Sequence, residues 1–303
     1  MPKNIKIPEP EKNLKFIDTH CHLGGLPRPK RDQLPSDSQQ YQDFFKNGGA
    51  YIITSSIDNS TLDLILKFIK GKERMGFTCG WAPQTVTYTP KIQYDKEWKK
   101  WVDYIEGNQE NYLAIGEIGL DFHHAKTLEK KNKQVTELKK MFELTVNYDK
   151  PYVLHVRNAA EHEFDRGNPK HRFNNRDGAT KEILNIIKEF NVNPKKVMWH
   201  CFSGPQEYGI SLPNQSYTLS VPSSAYGINK WRRVTKQSPL TALVTETDSY
   251  YQHPYLRGPV NVPLNVKYSI AAIAYSHNTS QQEVSKITVE NAIDFFALEL
   301  ESI

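Results

Sequence analysis

Several features are scarce or missing in this chain of 303 residues, and each absence removes a class of protein. The three cysteines, Cys21, Cys79 and Cys201, are odd in number and lack metal-finger spacing, so we expect free thiols and a reducing compartment. No stretch approaches eighteen apolar residues, which excludes a membrane-spanning helix. Residues 1–15 are polar and lack an apolar core, so we expect no secretory signal. The sequence therefore predicts a cytoplasmic protein, with the nucleus also open, and no membrane partner.

The charge balance excludes little. Lys and Arg number 39 against 34 Asp and Glu, a formal net charge of +5, which permits a nucleic-acid partner without arguing for one. The hydrophobic fraction of 38% suffices for a large core in a chain of this length. Because we find no tandem repeat, low-complexity tract or long linker, we expect one domain spanning residues 1–303, with 1–14 as a flexible extension and no obligate protein partner.

Short apolar runs alternate with longer amphipathic stretches along the chain. Gly, Pro, Asn or Asp bounds each run, as is typical of strands. The predicted strands are 15–18, 50–55, 76–81, 112–117, 151–155, 196–200, 217–221 and 242–246. The predicted helices are 38–46, 60–70, 96–107, 127–148, 179–190, 206–211, 229–237, 266–277 and 280–300, of which 206–211 has the weakest pattern.

This alternation indicates a parallel β/α architecture in the α/β class. Eight strands favour closure into a (β/α)8 TIM barrel, and 303 residues is an ordinary length for one. An open, doubly wound sheet is the alternative, but it usually carries a Gly-rich nucleotide loop after its first strand. Here residues 18–22, Asp-Thr-His-Cys-His, stand at that place instead.

Six ionisable side chains lie at the ends of otherwise apolar runs, where they are costly unless paired or bound to a metal. Alternate residues of a strand share a face, so the two histidines of the first run should project together. Barrel enzymes carry their chemistry at the carboxyl ends of the strands, so we expect a metal site there. The predicted ligands are His20, His22, Glu117, His155, His200 and Asp248.

The number of ligands indicates how many ions the site holds. Four imidazoles and two carboxylates exceed what one catalytic zinc uses while keeping a position open. They suit two divalent ions about 3.5–4 Å apart, bridged by one carboxylate. Glu117 is the expected bridge because it comes from a middle strand. Mixed nitrogen and oxygen ligation suits Mg, Mn or Zn and does not choose among them.

The chain resembles the TatD family of the amidohydrolase superfamily from about residue 16 to about residue 296. Five ordered blocks carry the resemblance: DTHCHL at 18–23, GEIGLD at 116–121, HVRNA at 155–159, HCFSG at 200–204 and ETD at 246–248. It implies a (β/α)8 barrel and a divalent-metal-dependent deoxyribonuclease. Such an enzyme often acts as a 3′-to-5′ exonuclease, here on single-stranded DNA or strand ends.

Carried over to these positions, the resemblance places one metal on His20, His22, Glu117 and Asp248. The second metal falls on Glu117, His155 and His200. It implies that Asp248, which with Glu117 forms the catalytic pair, also accepts a proton from the attacking water.

The predicted substrate-binding set is Arg157, Ser203, Tyr250 and Arg257. Arg157 suits a phosphate oxygen through its planar guanidinium, and a salt bridge to a neighbouring carboxylate such as Asp121 is the alternative. Aromatic and imidazole rings that follow the ligands could stack on bases or pack within loops. These rings are Phe122, His123, Phe202, Tyr250 and Tyr251.

Two features depart from the family pattern. Val262 stands where the family usually has an acidic residue, and residues 161–177 form a longer loop facing the predicted site. This loop is either a solvated mixed-charge segment or a backbone-phosphate contact. Two other functions stay open: hydrolysis of a C–N, ester or lactone bond, and a metal-binding barrel without catalysis. Enzymes of the first kind usually bridge their metals with a modified Lys rather than a residue such as Glu117, and six intact ligands argue against the second.

Overall fold

The structure is a computed structural model that describes residues 7–26, 34–161, 173–255, 258 and 260–300. Within these residues, eight parallel strands form one sheet in the order β1 to β8, each paired with its neighbour in sequence. The strands are β1 Phe16–Cys21, β2 Gly49–Ser55, β3 Met75–Cys79, β4 Ala114–Asp121, β5 Tyr152–Arg157, β6 Val197–His200, β7 Thr218–Pro222 and β8 Leu243–Glu246.

The first and last strands meet and bring the sheet round into a barrel. The Thr19 hydroxyl donates to the carbonyl oxygen of Thr245 at 2.9 Å, and the Thr245 hydroxyl donates to that of Ile17 at 2.9 Å. A little further along, the backbone N–H of Thr247 donates to Asp18 Oδ1 at 2.9 Å. The predicted (β/α)8 barrel is therefore confirmed.

The described part of the chain also contains ten α-helices, and the α segment that follows β8 is a pair of helices. They are α1 Asp37–Lys46, α2 Asn59–Ile69, α3 Pro83–Tyr88, α4 Lys91–Gly107, α5 Leu128–Thr145, α6 Gly178–Glu189, α7 Gln206–Ser211, α8 Asn229–Gln237, α9 Lys267–His277 and α10 Gln281–Phe296. Ser280 caps the start of α10, since its hydroxyl accepts a hydrogen bond from Glu283 N at 3.1 Å. Sequence patterns missed α3, a short helix that begins at Pro83.

Alternation along the strands divides the apolar residues between two cores. One face packs against α1 to α9, with Phe16, Leu154 and Trp199 as examples. The other face fills the barrel interior, where small and medium side chains from β1, β2, β4, β5, β6 and β8 meet the end of α10. These interior residues, called the floor below, are Ile17, Ala50, Ile53, Ala114, Val153, Met198 and Val244, with Val289, Ala292 and Phe296 of α10.

Residues 7–14 are docked on the barrel, which corrects their assignment to a flexible extension. The side chains of Ile7 and Leu14 are buried. The Tyr226 hydroxyl donates to Ile7 O at 2.9 Å, and Gln281 Nε2 donates to Glu9 O at 3.0 Å. Polar composition suggested mobility, but two apolar anchors and these hydrogen bonds fix the segment. Residues 1–6 lie outside the described residues.

None of the helices among the described residues is long and apolar enough to cross a membrane.

Candidate metal centre

A layer of polar side chains lies above the floor, at the carboxyl ends of the strands. On β5 and β6 this layer begins two residues beyond the floor, because alternate residues of a regular strand face the same side. His155 thus follows Val153, and His200 follows Met198, with His155 and His200 paired in register. Regular strand geometry is enough to aim these two imidazoles inward.

On β1 and β4 the spacing is three residues, so a regular strand would turn these side chains away from the interior. His20 follows Ile17, and Glu117 follows Ala114. Both strands have an irregular register at this point, β1 between Asp18 and Cys21 and β4 between residues 116 and 118. Such irregularities re-aim side chains beside active sites. Here they bring His20 and Glu117 into the polar layer.

The carboxylate of Glu117 lies among the four predicted imidazoles. Its Oε2 lies 3.3 Å from His20 Nε2 and 3.7 Å from His200 Nε2. The same oxygen lies 3.8 Å from His22 Nε2. Its Oε1 lies 3.4 Å from His155 Nδ1. The predicted bridging residue therefore occupies the middle of the cluster, although β4 continues beyond it to Asp121 and it does not end its strand.

Asp248 reaches the cluster from outside the sheet. The strand β8 ends at Glu246, so Asp248 lies in the following turn rather than at the predicted strand end. It has a left-handed backbone with φ of 50°, and its N–H donates to His20 O at 2.9 Å. Its Oδ1 lies 3.5 Å from His22 Nε2 and 3.8 Å from His20 Nε2. The turn thus places a second carboxylate on the side of the β1 imidazoles.

The donor set fits divalent metal ions. Two groups have ligand atoms within 4.8 Å of one another, one formed by His20, Glu117 and His200 and the other by His20, His22 and Asp248. Among the described residues, the buried Nε2 of His20 has no hydrogen-bond partner, although it faces both carboxylates. A buried imidazole nitrogen without a partner is costly, and a metal ion would satisfy it.

The outward-facing nitrogen of each imidazole has its own polar neighbour. His20 Nδ1 lies 3.2 Å from the Ser55 hydroxyl, and His22 Nδ1 lies 3.1 Å from the Ser55 carbonyl oxygen. His200 Nδ1 lies 3.5 Å from Glu246 Oε2. Such partners fix the ring orientation and the tautomer of a ligand. The sequence did not predict these partners, although Glu246 begins the ETD motif at 246–248.

Asp121 holds the outward nitrogen of His155, and sequence reasoning missed this role as well. Its buried Oδ2 lies 3.1 Å from His155 Nε2, 2.8 Å from His124 Nδ1 and 2.8 Å from Gln84 Nε2. In the described part of the chain, the ion pairs of Asp121 therefore involve histidines and not Arg157. Asp121, the example given for a salt bridge to Arg157, instead pairs with His155 and His124.

The pKa shifts describe the metal-free cluster. Burial raises the pKa of a carboxyl group, but hydrogen bonds from His155 and His20 outweigh burial and hold the pKa of Glu117 well below its usual value. Burial would likewise raise the pKa of Asp248, but the hydrogen bond from His22 and the nearby imidazoles outweigh burial and lower the pKa of this carboxyl group. Burial would lower the pKa of His155, but hydrogen bonds to Asp121 and Glu117 raise it to about 10. Without metal, the site thus combines ionised carboxylates with a protonated His155.

The predicted substrate-binding residues lie in different surroundings. Arg157 is exposed at the end of β5, two residues beyond His155. Ser203 is exposed, and its hydroxyl donates to Val156 O at 3.4 Å. Tyr250 is buried, and its hydroxyl donates to Asp37 Oδ1 at 2.5 Å, so it anchors the turn to α1. Arg257 lies outside the described residues.

Burial also separates the aromatic residues that could stack on bases. Phe122 and Phe202 are 0% and 2% exposed, which favours the packing alternative for these two rings. Phe122 packs against Phe173 with ring centroids 4.9 Å apart. Tyr251, in contrast, is 60% exposed. Sequence placed all these rings near the ligands, but only the fold decides which of them face solvent.

The two departures from the family pattern have different outcomes. Asn261, beside Val262, is buried, and its Nδ2 donates to Ser223 Oγ and Thr247 O, both at 2.9 Å. Asn261 therefore ties the segment after β8 to the turn that carries Asp248. Of the longer loop 161–177, residues 162–172 lie outside the described residues.

A (β/α)8 barrel that gathers imidazoles and carboxylates at the carboxyl ends of its strands is the architecture of a metal-dependent hydrolase. The family model described as TatD related DNase matches residues 17–297, and the chain belongs to this family of metal-dependent hydrolases. The resemblance found in the sequence is thereby confirmed.

Individual proteins agree with the family match. The chain is 27% identical over 286 residues to an uncharacterized metal-dependent hydrolase of Methanocaldococcus jannaschii, covering 94% of this chain and 98% of that protein. It is 30% identical over 194 residues to the human deoxyribonuclease TATDN3, covering 63% of this chain and 62% of that protein. A crystal structure of a TatD homologue from Escherichia coli superposes with a TM-score of 0.74 at 20% identity, covering 94% and 98% of the two chains.

Proposed function

We propose that this protein is a divalent-metal-dependent nuclease that hydrolyses phosphodiester bonds of DNA, with 3′-to-5′ exonuclease action. The observation that carries the proposal is the position of Glu117, whose carboxylate faces four imidazoles beside Asp248. The family description and the name of the human relative support nucleic acid as the substrate.

His20, His22, Glu117 and Asp248 would hold one ion, and Glu117, His155 and His200 a second. Mg, Mn or Zn all suit these donors. When bound, such ions acidify water and neutralise charge on the phosphate. Asp121, Glu246 and Ser55 keep the imidazoles oriented.

Asp248 is the proton acceptor in this proposal. Its side chain is 13% exposed against 6% for Glu117, so it is the more accessible of the two carboxylates. Its lowered pKa keeps it anionic at neutral pH. As the oxygen of a water molecule bonds to phosphorus, its proton passes to Asp248. The bond from phosphorus to the leaving oxygen breaks, and that oxygen keeps the electron pair and takes a proton from solvent water. Arg157, exposed at the end of β5, is the proposed partner of a non-bridging phosphate oxygen.

The test uses EDTA-stripped protein refilled with one metal at a time and given single-stranded DNA labelled at its 5′ end. We expect no cleavage without metal, and with metal a ladder of products that shortens stepwise from the 3′ end. Products from internal cleavage would refute the exonuclease part alone. Failure to cut DNA with any metal, together with turnover of a lactone or amide, would favour the other superfamily chemistry instead.

A further inference from the structure

Tyr251 presents an exposed aromatic ring directly beside the metal centre. Its ring centroid lies 6.4 Å from that of His22, with the two ring planes at 82°. His22 Nε2 in turn lies 3.5 Å from Asp248 Oδ1. Although it contacts a predicted ligand, the side chain of Tyr251 is 60% exposed. A large aromatic ring is thus left exposed beside His22, one of the predicted metal ligands.

The backbone that carries this ring is fixed on both sides. The N–H of Tyr251 donates to Asp248 O at 2.7 Å. The next residue, Gln252, accepts hydrogen bonds from Ser223 at its carbonyl oxygen and from Ser224 at Oε1, both at 2.7 Å. Because the turn is tied to the end of β7, the backbone that carries the ring is held in place before any substrate binds. Little backbone entropy would then be lost when this ring binds a partner.

An exposed aromatic ring on a backbone that is held in place offers a stacking surface to a planar group. In nucleic acids the planar group is the base, and stacking tolerates any base because each has a π-face. A base inside a duplex already stacks on both sides and must be unpaired before it offers a free face. The ring therefore fits a strand that is unpaired next to the reacting phosphate.

Building on the proposed nuclease function, we propose that Tyr251 stacks on the base next to the scissile phosphate. The enzyme then selects single strands and frayed ends with little preference for sequence. Stacking does not read the 2′-hydroxyl, which is the group that distinguishes RNA from DNA. Tyr251 thus distinguishes single-stranded from double-stranded nucleic acid, whereas other contacts must distinguish DNA from RNA.

The experiment compares two single-stranded oligonucleotides, one with ordinary bases and one with an abasic residue next to the cleaved bond. The readout is the ratio of kcat/KM between the two strands, measured for the wild type and for Tyr251→Leu. We expect the wild type to favour the ordinary strand, and Tyr251→Leu to reduce this ratio roughly 5- to 150-fold, the range that corresponds to the loss of one aromatic stack. Tyr251→Phe should keep the wild-type ratio because the ring remains.

Tyr275 supplies the matched control. It is an exposed tyrosine near the end of α9, and Tyr275→Leu should leave the ratio at its wild-type value. A wild-type ratio near one, or an equal loss on both strands in Tyr251→Leu, would overturn the stacking proposal while the nuclease function stands. If the wild type cleaves neither strand with any metal, the nuclease function itself is overturned, and the stacking proposal falls with it.

Discussion

At the scale of single residues, the two carboxylates of the metal centre, Glu117 and Asp248, lie in different surroundings. Glu117 is enclosed by imidazoles, with its two oxygens facing different histidines, whereas Asp248 lies at the edge of the cluster on a turn. The enclosed group is suited to holding ions and the group at the edge to exchanging a proton. This difference allows their roles to be separated by mutation.

Asp248→Asn keeps the shape of the side chain and removes its basic, anionic oxygen. If Asp248 accepts the proton of water, kcat should fall by roughly 10²–10⁴-fold with little change in KM. Arg157→Ala should instead raise KM and flatten its salt dependence, because one cationic contact with phosphate is lost. Steady-state kinetics on DNA distinguish the two variants, with metal content measured on the same samples. Near-normal turnover by fully loaded Asp248→Asn would mean that another group takes the proton.

The raised pKa of His155 has a measurable consequence for metal binding. Since its pKa is about 10 in the metal-free protein, its imidazole holds a proton at neutral pH, and a metal ion must displace it. Lower pH favours the proton, so metal affinity should weaken as pH falls, by about tenfold per pH unit for each proton released. Calorimetry in two buffers of different ionisation enthalpy counts these protons.

The matched variant for this measurement is His155→Gln, which removes the titrating ring. It should release fewer protons per ion bound than the wild type. An equal count in the two proteins would show that other imidazoles supply the displaced protons.

At the scale of elements, the positions of the strands were predictable, but their ends and irregularities were not. The predicted fourth strand, 112–117, is observed as Ala114–Asp121, and the first, 15–18, as Phe16–Cys21. The first strand extends further because Thr19 and His20 continue it beyond the apolar run. The strand β4 resumes with buried Ile118 and Leu120 after the charged Glu117. The register shifts of β1 and β4 leave no periodic signal, since they depend on the neighbouring strand. The helix α3 was also missed, because six residues are too few to show an amphipathic pattern.

The irregular part of β4 packs closely against Gly80, directly after β3. A methyl group at Gly80 would collide with the backbone nitrogen of Glu117 and the carbonyl carbon of Gly116. Backbone atoms within a sheet cannot move aside as a side-chain end can. We therefore expect Gly80→Ala to lower the free energy of unfolding by about 1–3 kcal/mol and to reduce metal content. Urea unfolding and metal analysis measure the two effects.

Gly107, at the end of α4, is the control for this substitution. A methyl group there would meet nothing within 4 Å. Gly107→Ala should thus keep the wild-type metal content and match or exceed its stability. If Gly80→Ala behaves like Gly107→Ala, the contact between β3 and β4 does not position Glu117.

At the scale of the whole molecule, the barrel has an apolar floor sealed by α10 and a polar layer above it. Alternating strands and helices predicted the barrel, and the family motifs predicted six donors, because both are encoded in short segments. The surroundings of the donors were not predictable. Ser55, Asp121 and Glu246 act through contacts between strands, and the burial of Tyr250 beside the exposure of Tyr251 depends on the turn after β8.

The last prediction concerns metal removal, because the donors come from β1, β4, β5, β6 and the turn after β8. Ions held there would link these elements, and a ligand that binds only the folded state adds about 2.7 kcal/mol of stability at a hundredfold excess over Kd. EDTA should therefore lower the midpoint of thermal unfolding by several degrees, and one metal ion added back should restore it. Glu117→Gln, which keeps the shape of the side chain and removes its charge, should show a much smaller shift.

Glu137→Gln is the control for this comparison. Glu137 is a buried carboxylate on α5 that pairs with Lys140 at 2.8 Å, outside the metal centre. The Glu137→Gln variant should show the same EDTA-induced decrease in the midpoint of thermal unfolding as the wild type, because the donors of the metal centre are unchanged. If the wild type unfolds at the same temperature with and without metal, ions do not link these strands. If Glu117→Gln and Glu137→Gln respond alike, the carboxylate at the middle of the cluster does not hold them.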